Sequence, residues 1–374
     1  MKNINFASGP CAKPPHWEPP KCKLAGRSHR STDGLAKIQE MLNLQRKILK
    51  IPDDYFIGIV AGSTTGAMET LLWSLLGSRG VDVLNQCIFS NHWANDIVNE
   101  LKIADVRQIK ADFPSVADVT QVNFSRDVVF CWSSTTSGVC YSNQDWIESD
   151  REGLTICDAT SAAFIVKFDW SKFDAMAYSW QKGLGGEAGF GMIVLSPRAI
   201  ERLENYKPSW PIPRIFRIAE DKKVNFKIFE GHTINTPSMI CIEDFCNCLK
   251  WAESIGGIDA LVQRVSENYA TAEKWVSEQK IFKFLVDKNC RAPHIICLDL
   301  ISEKYQALSE AQKWEFLKNI VKICAQEKIG NDILGHILTK PHIRVWAGPT
   351  IESADLKKLL DGLVDIAKNY LKKL

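Results

Sequence analysis

Between Ser31 and Leu49 the run STDGLAKIQEMLNLQRKIL spaces Leu35, Ile38, Met41, Leu42 and Leu49 at helical intervals, so one face of an amphipathic helix is apolar. The texture then changes. YFIGIVAG reads as a short apolar strand, GSTTG as a turn and AMETLLWSLLG as a helix, a strand–loop–helix unit of the doubly wound type. Further apolar runs, DVLNQCIF, DVVFCWSS, GLTICDAT, DAMAYSW and FGMIVLS, are separated by helical or loop segments and predict more strands. Their alternation indicates an α/β sheet that is mostly parallel. Beyond about Met239 the pattern turns helical through CIEDFCNCLKWAES and DALVQRVSENYATAEKWVSEQK, then gives the strand HIICLDL, another helix and HIRVWAG. Upstream of the first helix, Pro10, Pro14, Pro15, Pro19 and Pro20 exclude any long helix and predict an extended arm able to reach a partner subunit. The expected organisation is an arm over 1–30, a large domain over 31–240 and a smaller α+β C-terminal domain over 241–374.

A chain of 374 residues accommodates two such domains. With 46 basic against 44 acidic residues the net charge is only +2, which leaves no global field for nucleic acid or an anionic membrane, so any anion recognition must be local. The 12 cysteines are scattered, and Cys241, Cys246 and Cys248 lack the paired spacing of a zinc site, so no metal is expected and the thiols read as reduced. MKNINFASGPCAKPP has no apolar signal-peptide run and no stretch is long enough to span a membrane, which makes the cytoplasm the expected location.

The segment DAMAYSWQKGLGGEAGFGMIVLS sets Lys182 between an apolar strand and the glycines Gly183, Gly185, Gly186, Gly189 and Gly191. A dinucleotide fingerprint would have to open a helix directly after its strand, whereas this cluster leads into another strand. A glycine-rich turn between strands lets backbone pass close to a ligand, and a lysine amine held beside it can form a Schiff base with a carbonyl cofactor. By itself the segment equally fits a surface lysine beside a loop. Asp158, closing GLTICD, adds weight, because pyridoxal phosphate acts as an electron sink only while its pyridine nitrogen stays protonated, and a carboxylate is the usual partner of that proton. Strand-end aspartates also serve as metal or ribose ligands or as helix caps. Ser63 and Thr64, with backbone N–H groups at a helix N-terminus, make a phosphate cradle or a simple N-cap. Trp93 offers a flat face for a cofactor ring, although most of the chain's 12 tryptophans must be core.

This order of parts, a Ser-Thr glycine turn, Trp93, TTSG, Asp158, Gln181-Lys182 and Asn235-Thr236, resembles the class V aminotransferases, and within them most closely the phosphoserine aminotransferase family. The likeness of SWQKGLGGEAGFGMIVLSPRAIERLENYKPSWPIP is strong, and it extends from NFASGP to IRVWAG, essentially the whole chain. It implies pyridoxal-phosphate fold type I, with a mostly parallel seven-stranded-type sheet in the large domain, and a homodimer with shared active sites. It also implies that Lys182 carries the Schiff base and shuttles the substrate proton, that Asp158 holds the pyridinium and that Trp93 stacks on the ring. Thr135 would touch the ring hydroxyl side. Ser63, Thr64 and Gln181 would bind the cofactor phosphate, with Asn235 and Thr236 completing that site from the neighbouring subunit. Arg344 in HIRVWAG resembles the arginine that pairs with the substrate α-carboxylate. His29 and Arg30 resemble the pair that reaches across the dimer to the distal anion of either substrate. The implied reaction is ping-pong transfer of the amino group from L-glutamate to 3-phosphohydroxypyruvate, giving O-phospho-L-serine and 2-oxoglutarate in serine and also pyridoxine biosynthesis. An alanine–glyoxylate type aminotransferase, a cysteine desulfurase and a non-catalytic cofactor-binding sensor are the rival readings. The sequence departs from the commonest bacterial pattern where an arginine stands in the glycine turn, here Ser63-Thr64-Thr65. The family histidine upstream of the last arginine has no counterpart within TKPH. Arg27, Lys340 and His342 are the candidates to take their place.

Overall fold

The computed structural model of the chain describes residues 4–372. From residue 4 to the first helix the chain runs without a helix, pinned by a bridge between Asn5 and Asn331 and by the fully buried ring of Phe6. Helix α1 (Thr32–Leu49) starts where the Ser31 side chain accepts from the Gly34 amide at 3.2 Å, and ends at Lys50, whose left-handed backbone returns its N–H to the last turn. Ile38, Met41, Leu42 and Leu49 are buried as the stripe predicts, and Leu35 lies at its half-exposed margin.

The large sheet is built from β1 (Phe56–Ala61), β2 (Val81–Asn85), β3 (Val106–Lys110), β4 (Asp127–Cys131), β5 (Thr155–Asp158), β6 (Ala175–Ser179) and β7 (Phe190–Leu195). Helices α2 (Ser63–Leu75), α3 (Ile88–Asn95) and α4 (Pro197–Asn205) belong to the same layer system. Read across, the order is β3-β2-β4-β5-β6-β7-β1. All neighbours from β3 to β6 are parallel; β7 runs antiparallel to both β6 and β1. The connection 180–189 is too short to hold a crossover helix, so β7 must return antiparallel beside β6. Apolar residues on both faces of β2, β4, β5, β6 and β7 fill the layers between the sheet and its helices.

A hairpin of β8 (Ala219–Glu220) and β9 (Lys223–Val224) leads to α5 (Met239–Ser254) and α6 (Gly257–Glu278). There follow β10 (Phe282–Phe284), β11 (Ile295–Leu300), α7 (Glu303–Gln306), α8 (Glu310–Gln326), β12 (Ile343–Trp346) and α9 (Ser353–Leu371). The three strands form an antiparallel sheet in sequence order, covered by α6, α8 and α9. Helix α5 packs on α1 and buries Phe245 and Leu249 in the large core, whereas the second core gathers Val265 and Trp275 of α6 with the small sheet. The handover between cores therefore lies within α6. No helix among the described residues is long and apolar enough to cross a membrane.

Two local expectations are corrected. DVLNQCIF is a strand only over Val81–Asn85, because Cys87 caps the new helix α3 with its side chain over the Ser90 amide. GSTTG is less a turn than a helix start, since Ser63 already belongs to α2.

At the starts of β2, β4 and β6 three buried carboxylates are each held by arginines. Asp82 pairs with Arg107 and Arg126, and Asp127 with Arg202 through two bonds of 3.0 and 3.1 Å. Asp174 takes Arg151 at 3.1 Å and Arg198 at 3.0 Å, together with the Thr155 amide and the Ser196 hydroxyl. Arg151 is itself buried, so Asp174→Ala strands its guanidinium. The substitution is expected to destabilise the fold by about 3–5 kcal/mol in urea unfolding. A loss under about 1 kcal/mol would mean the pair is not a lock.

Candidate active site

The carboxyl ends of β4, β5 and β6 converge on the N-terminus of α2, the edge at which open α/β sheets bind ligands. A cavity of about 150 Å³ opens there, lined among others by Ser63, Thr64, Trp93, Thr135, Asp158, Gln181 and Lys182. Seven residues singled out from the sequence are thus brought together by the fold.

Lys182 follows β6 and is half-buried beneath the N-terminal arm, its amine donating to the carbonyl of Ser8. The Cys11 amide donates to Gln181 O at 2.8 Å, so the arm lies along the glycine turn of its own chain. Gly9, at φ +141°, presents bare backbone where a Cβ would fall 2.5 Å from the lysine nitrogen, and its positive φ favours glycine there. Burial is the largest influence on the Lys182 amine and lowers its pKa; Cys11 and Asp158 oppose that shift, and Arg344 adds to it.

Asp158 closes β5 with both oxygens engaged. Oδ1 accepts from the Thr160 amide at 3.0 Å and the Thr160 hydroxyl at 2.5 Å, while Oδ2 accepts from the Trp93 indole at 3.1 Å and the Cys131 thiol at 3.7 Å. Burial raises its pKa, and these same donors pull it back down. Trp93 is thereby anchored by its N–H while its ring lines the cavity.

Helix α2 begins after two consecutive left-handed residues, Gly62 at φ +84° and Ser63 at φ +58°, and no side chain caps it. Its first amides are left for a ligand. Gln181 Nε2 donates to Ser63 Oγ at 3.1 Å and leaves its own buried Oε1 without a partner. The hydroxyl of Thr64 turns inward, 2.7 Å from both Ser179 Oγ and Thr160 Oγ1, so at this position only the backbone N–H can face a phosphate. Arg344 on β12 donates from Nη1 to Thr135 O at 2.8 Å and keeps a buried Nε unpaired. Its guanidinium lies within electrostatic reach of Lys182.

His29, Arg30, Asn235 and Thr236 do not line this cavity. Arg30 borders a separate cleft of about 690 Å³ with Arg214, Arg217, Asn225, Thr233 and Ile234. His29 is buried with Nε2 unpartnered, and burial and Arg30 both lower its pKa. Asn235 and Thr236 follow directly on the cleft residues Thr233 and Ile234, the Asn235 amide donating to Thr236 O at 3.2 Å.

Among the stand-ins, Arg27 and Lys340 are exposed, and His342 is packed inside with Nδ1 donating to Lys340 O at 2.7 Å. Burial drives the His342 pKa down to about 4. The histidine that feels Arg344 from a half-exposed position is His336, one loop earlier and overlooked in the sequence. Also overlooked were Ser8, Cys131, Ser133, Thr160 and Ser161. The pattern Asp-x-Thr at a strand end was the available signal for Thr160, since such a hydroxyl can fold back on the carboxylate.

The family model for class-V aminotransferases matches residues 23–346. A phosphoserine aminotransferase of Methanosarcina barkeri is 46% identical over 99% of this chain and 98% of its own length. A solved phosphoserine aminotransferase from Cytophaga hutchinsonii superposes with a TM-score of 0.81 at 21% identity, covering 98% of this chain and 99% of that one. The pyridoxal-phosphate-bound phosphoserine aminotransferase of Trichomonas vaginalis gives 0.77 at 18% identity, over 97% and 100%.

Since only a neutral amine is nucleophilic, Lys182 should react with a small aldehyde under reducing conditions in a pH-dependent way. Labelling, followed by peptide mapping, is expected to rise with pH to a midpoint below the ordinary lysine value of 10.5. A midpoint at or above 10.5 would show that burial is not felt at this nitrogen.

Proposed function

This chain belongs to the class-V aminotransferase family, and we propose that it transfers the amino group of L-glutamate to 3-phosphohydroxypyruvate, giving O-phospho-L-serine and 2-oxoglutarate. It is a pyridoxal-phosphate-dependent transaminase. The donor set fits that cofactor: an uncapped helix N-terminus and the orphaned Gln181 Oε1 stand at one end of the cavity, and a carboxylate without a cation at the other. When bound, the cofactor supplies a carbonyl carbon for a lysine amine and a protonated ring that draws electrons from the substrate α-carbon.

The observation that carries the reading is the convergence of a neutral-leaning amine, Lys182, with Asp158 on one cavity, with Arg344 within electrostatic reach of the amine. Lys182 Nζ, freed from Ser8 O, takes the proton from the substrate α-carbon and returns it at the end of the transfer. Asp158 keeps a ring N–H protonated by offering it an ionised oxygen. The α2 amides, Ser63 and Gln181 hold the phosphate, and Trp93 and Thr135 hold the ring. Arg344, with an unpaired Nε, receives the α-carboxylate.

The distal anion needs further donors, and the His336 imidazole, within electrostatic reach of Arg344, is one that this chain offers. Arg30 lies on the separate cleft, with His29 beside it in the chain and Asn235 and Thr236 following the cleft residues Thr233 and Ile234, a disposition that suits delivery to the cavity of a second copy in a homodimer. Unpaired thiols at all twelve cysteines support a reducing compartment, the cytoplasm.

The cofactor-loaded protein is expected to lose its visible band on addition of L-phosphoserine without keto acid, releasing an equal amount of 3-phosphohydroxypyruvate. L-Alanine should leave the band intact; bleaching by alanine alone would reject the substrate assignment. Lys182→Ala should abolish the full transfer. Arg344→Lys removes a planar pair of charged hydrogen bonds, about 1.5–3 kcal/mol, and should lower kcat/KM for L-glutamate and phosphoserine alike by roughly 10- to 150-fold.

A further inference from the structure

Asp244 on α5 does not line the cavity, yet its side chain is only 2% exposed and both of its oxygens are engaged, from two directions. From the N-terminal arm, the Lys13 ammonium donates to Oδ2 at 2.8 Å and the Trp17 indole N–H to Oδ1 at 3.0 Å. From the glycine turn, the Glu187 amide donates to Oδ2 at 2.9 Å. Lys13 also meets the Glu187 carboxylate at 2.9 Å and stands 4.9 Å from the centre of the Trp17 ring. Burial works against the Lys13 ammonium, but its bonds to Asp244 and Glu187 outweigh it and its pKa is raised. The arm therefore brings a full positive charge to a carboxylate that has been taken out of water.

The backbone between this cluster and Lys182 has little freedom. Gly185, at φ +63°, passes so near the arm that a Cβ would fall 2.1 Å from the Ala12 carbonyl oxygen, and a Cβ on Gly186 would fall 2.8 Å from the Phe245 ring. The glycine turn is thus clasped between the arm and α5. Phe245, next to Asp244, stacks on Trp180 at 4.7 Å, and the Cys11 amide closes the arm onto Gln181 O at 2.8 Å. Ser8 O and Gly9, which cover the Lys182 amine, lie at the end of this clasped run.

We propose that Asp244 is a positioning residue for Lys182: from α5 it fastens the N-terminal arm against the glycine turn, and so keeps arm backbone over the amine. The proposal rests on the reading of Lys182 as the reactive amine of the site. The charged and titratable groups facing Lys182 are Cys11 on the arm, Asp158 at the end of β5, His294 just before β11 and Arg344 on β12. Burial lifts the Cys11 thiol to about 12 and lowers the His294 imidazole to about 3, so both stay neutral while the amine titrates. Asp158 and Arg344 stand on strands that the arm does not carry. Loosening the arm then acts on Lys182 through solvent: as water reaches the amine its charged form is favoured and its pKa rises.

The test compares full-length, cofactor-free variants by two readouts, the pH midpoint of reductive labelling of Lys182 by a small aldehyde and the deuterium uptake of backbone 8–17. Asp244→Asn keeps the shape, but its amide group meets buried donors with a donor of its own. It is expected to raise the labelling midpoint toward 10.5 and to quicken exchange over 8–17 about 10- to 100-fold. Lys13→Met should move both readouts in the same direction, and Lys13→Arg, which keeps the charge, should stay near the parent. Parental values of both readouts in Asp244→Asn would overturn the proposal. So would faster exchange with an unmoved midpoint, which marks a merely structural fastening. Should Asp244→Asn fail to fold, Lys13→Met decides by the same two readouts. A parent midpoint at or above 10.5 would overturn the reading of Lys182 as well, whereas a lowered parental midpoint that the variants leave unmoved overturns this inference alone.

Discussion

Everything at the site turns on keeping a carboxylate charged where burial opposes it. Elsewhere in the sheet the chain solves this by direct pairing, with Arg107 and Arg126 on Asp82, Arg202 on Asp127 and Arg151 with Arg198 on Asp174. Asp158 is treated differently: an amide, a hydroxyl, an indole and a thiol surround it, each a neutral donor. A guanidinium there would satisfy the charge outright and compete with a ring N–H for it. Neutral donors stabilise the anion and leave its field available to a ligand. Three stretches must meet to supply them, since Cys131 ends β4, Thr160 follows β5 and Trp93 rides on α3.

The lysine is governed by the opposite demand. Its amine is to be uncharged and reactive, and burial under residues 8–12 favours that state while Ser8 O gives the N–H a resting partner. Because Gly9 lies against the nitrogen, the arm covers the amine that the site uses. The arm that the prolines keep extended thus serves its own chain first. Its farther end, at His29 and Arg30, faces the other cleft.

Much of this was legible in the sequence because strand ends are. Lys182, Asp158, Trp93, Gln181 and the Ser63-Thr64 turn each stand at the exit of an apolar run, and a parallel sheet gathers such exits on one edge. β3 and β10 could not be seen in the same way: only Ile109 in VRQIK is buried, and edge strands of that kind carry no continuous apolar signal. The second half of DVLNQCIF misled because Cys87, a weak hydrophobe by composition, acts as a helix cap. Thr160 was readable only through the short Asp-x-Thr pattern, in which its amide and hydroxyl fold back on Asp158. His336 carries no signal in the sequence because it stands well before Arg344 in the chain, and the loop folds it back toward the guanidinium.

The arginine-held aspartates stand at the starts of β2, β4 and β6, and the cavity stands at the other ends of the parallel strands. What locks the sheet and what meets the substrate are therefore separated by the length of a strand. Residues at the cavity rim, such as those of the glycine turn and the loop carrying His336, can be exchanged without loosening the ion pairs that hold the strands in register. A lineage can drift in which anion it recognises while the scaffold beneath stays under a different and independent selection.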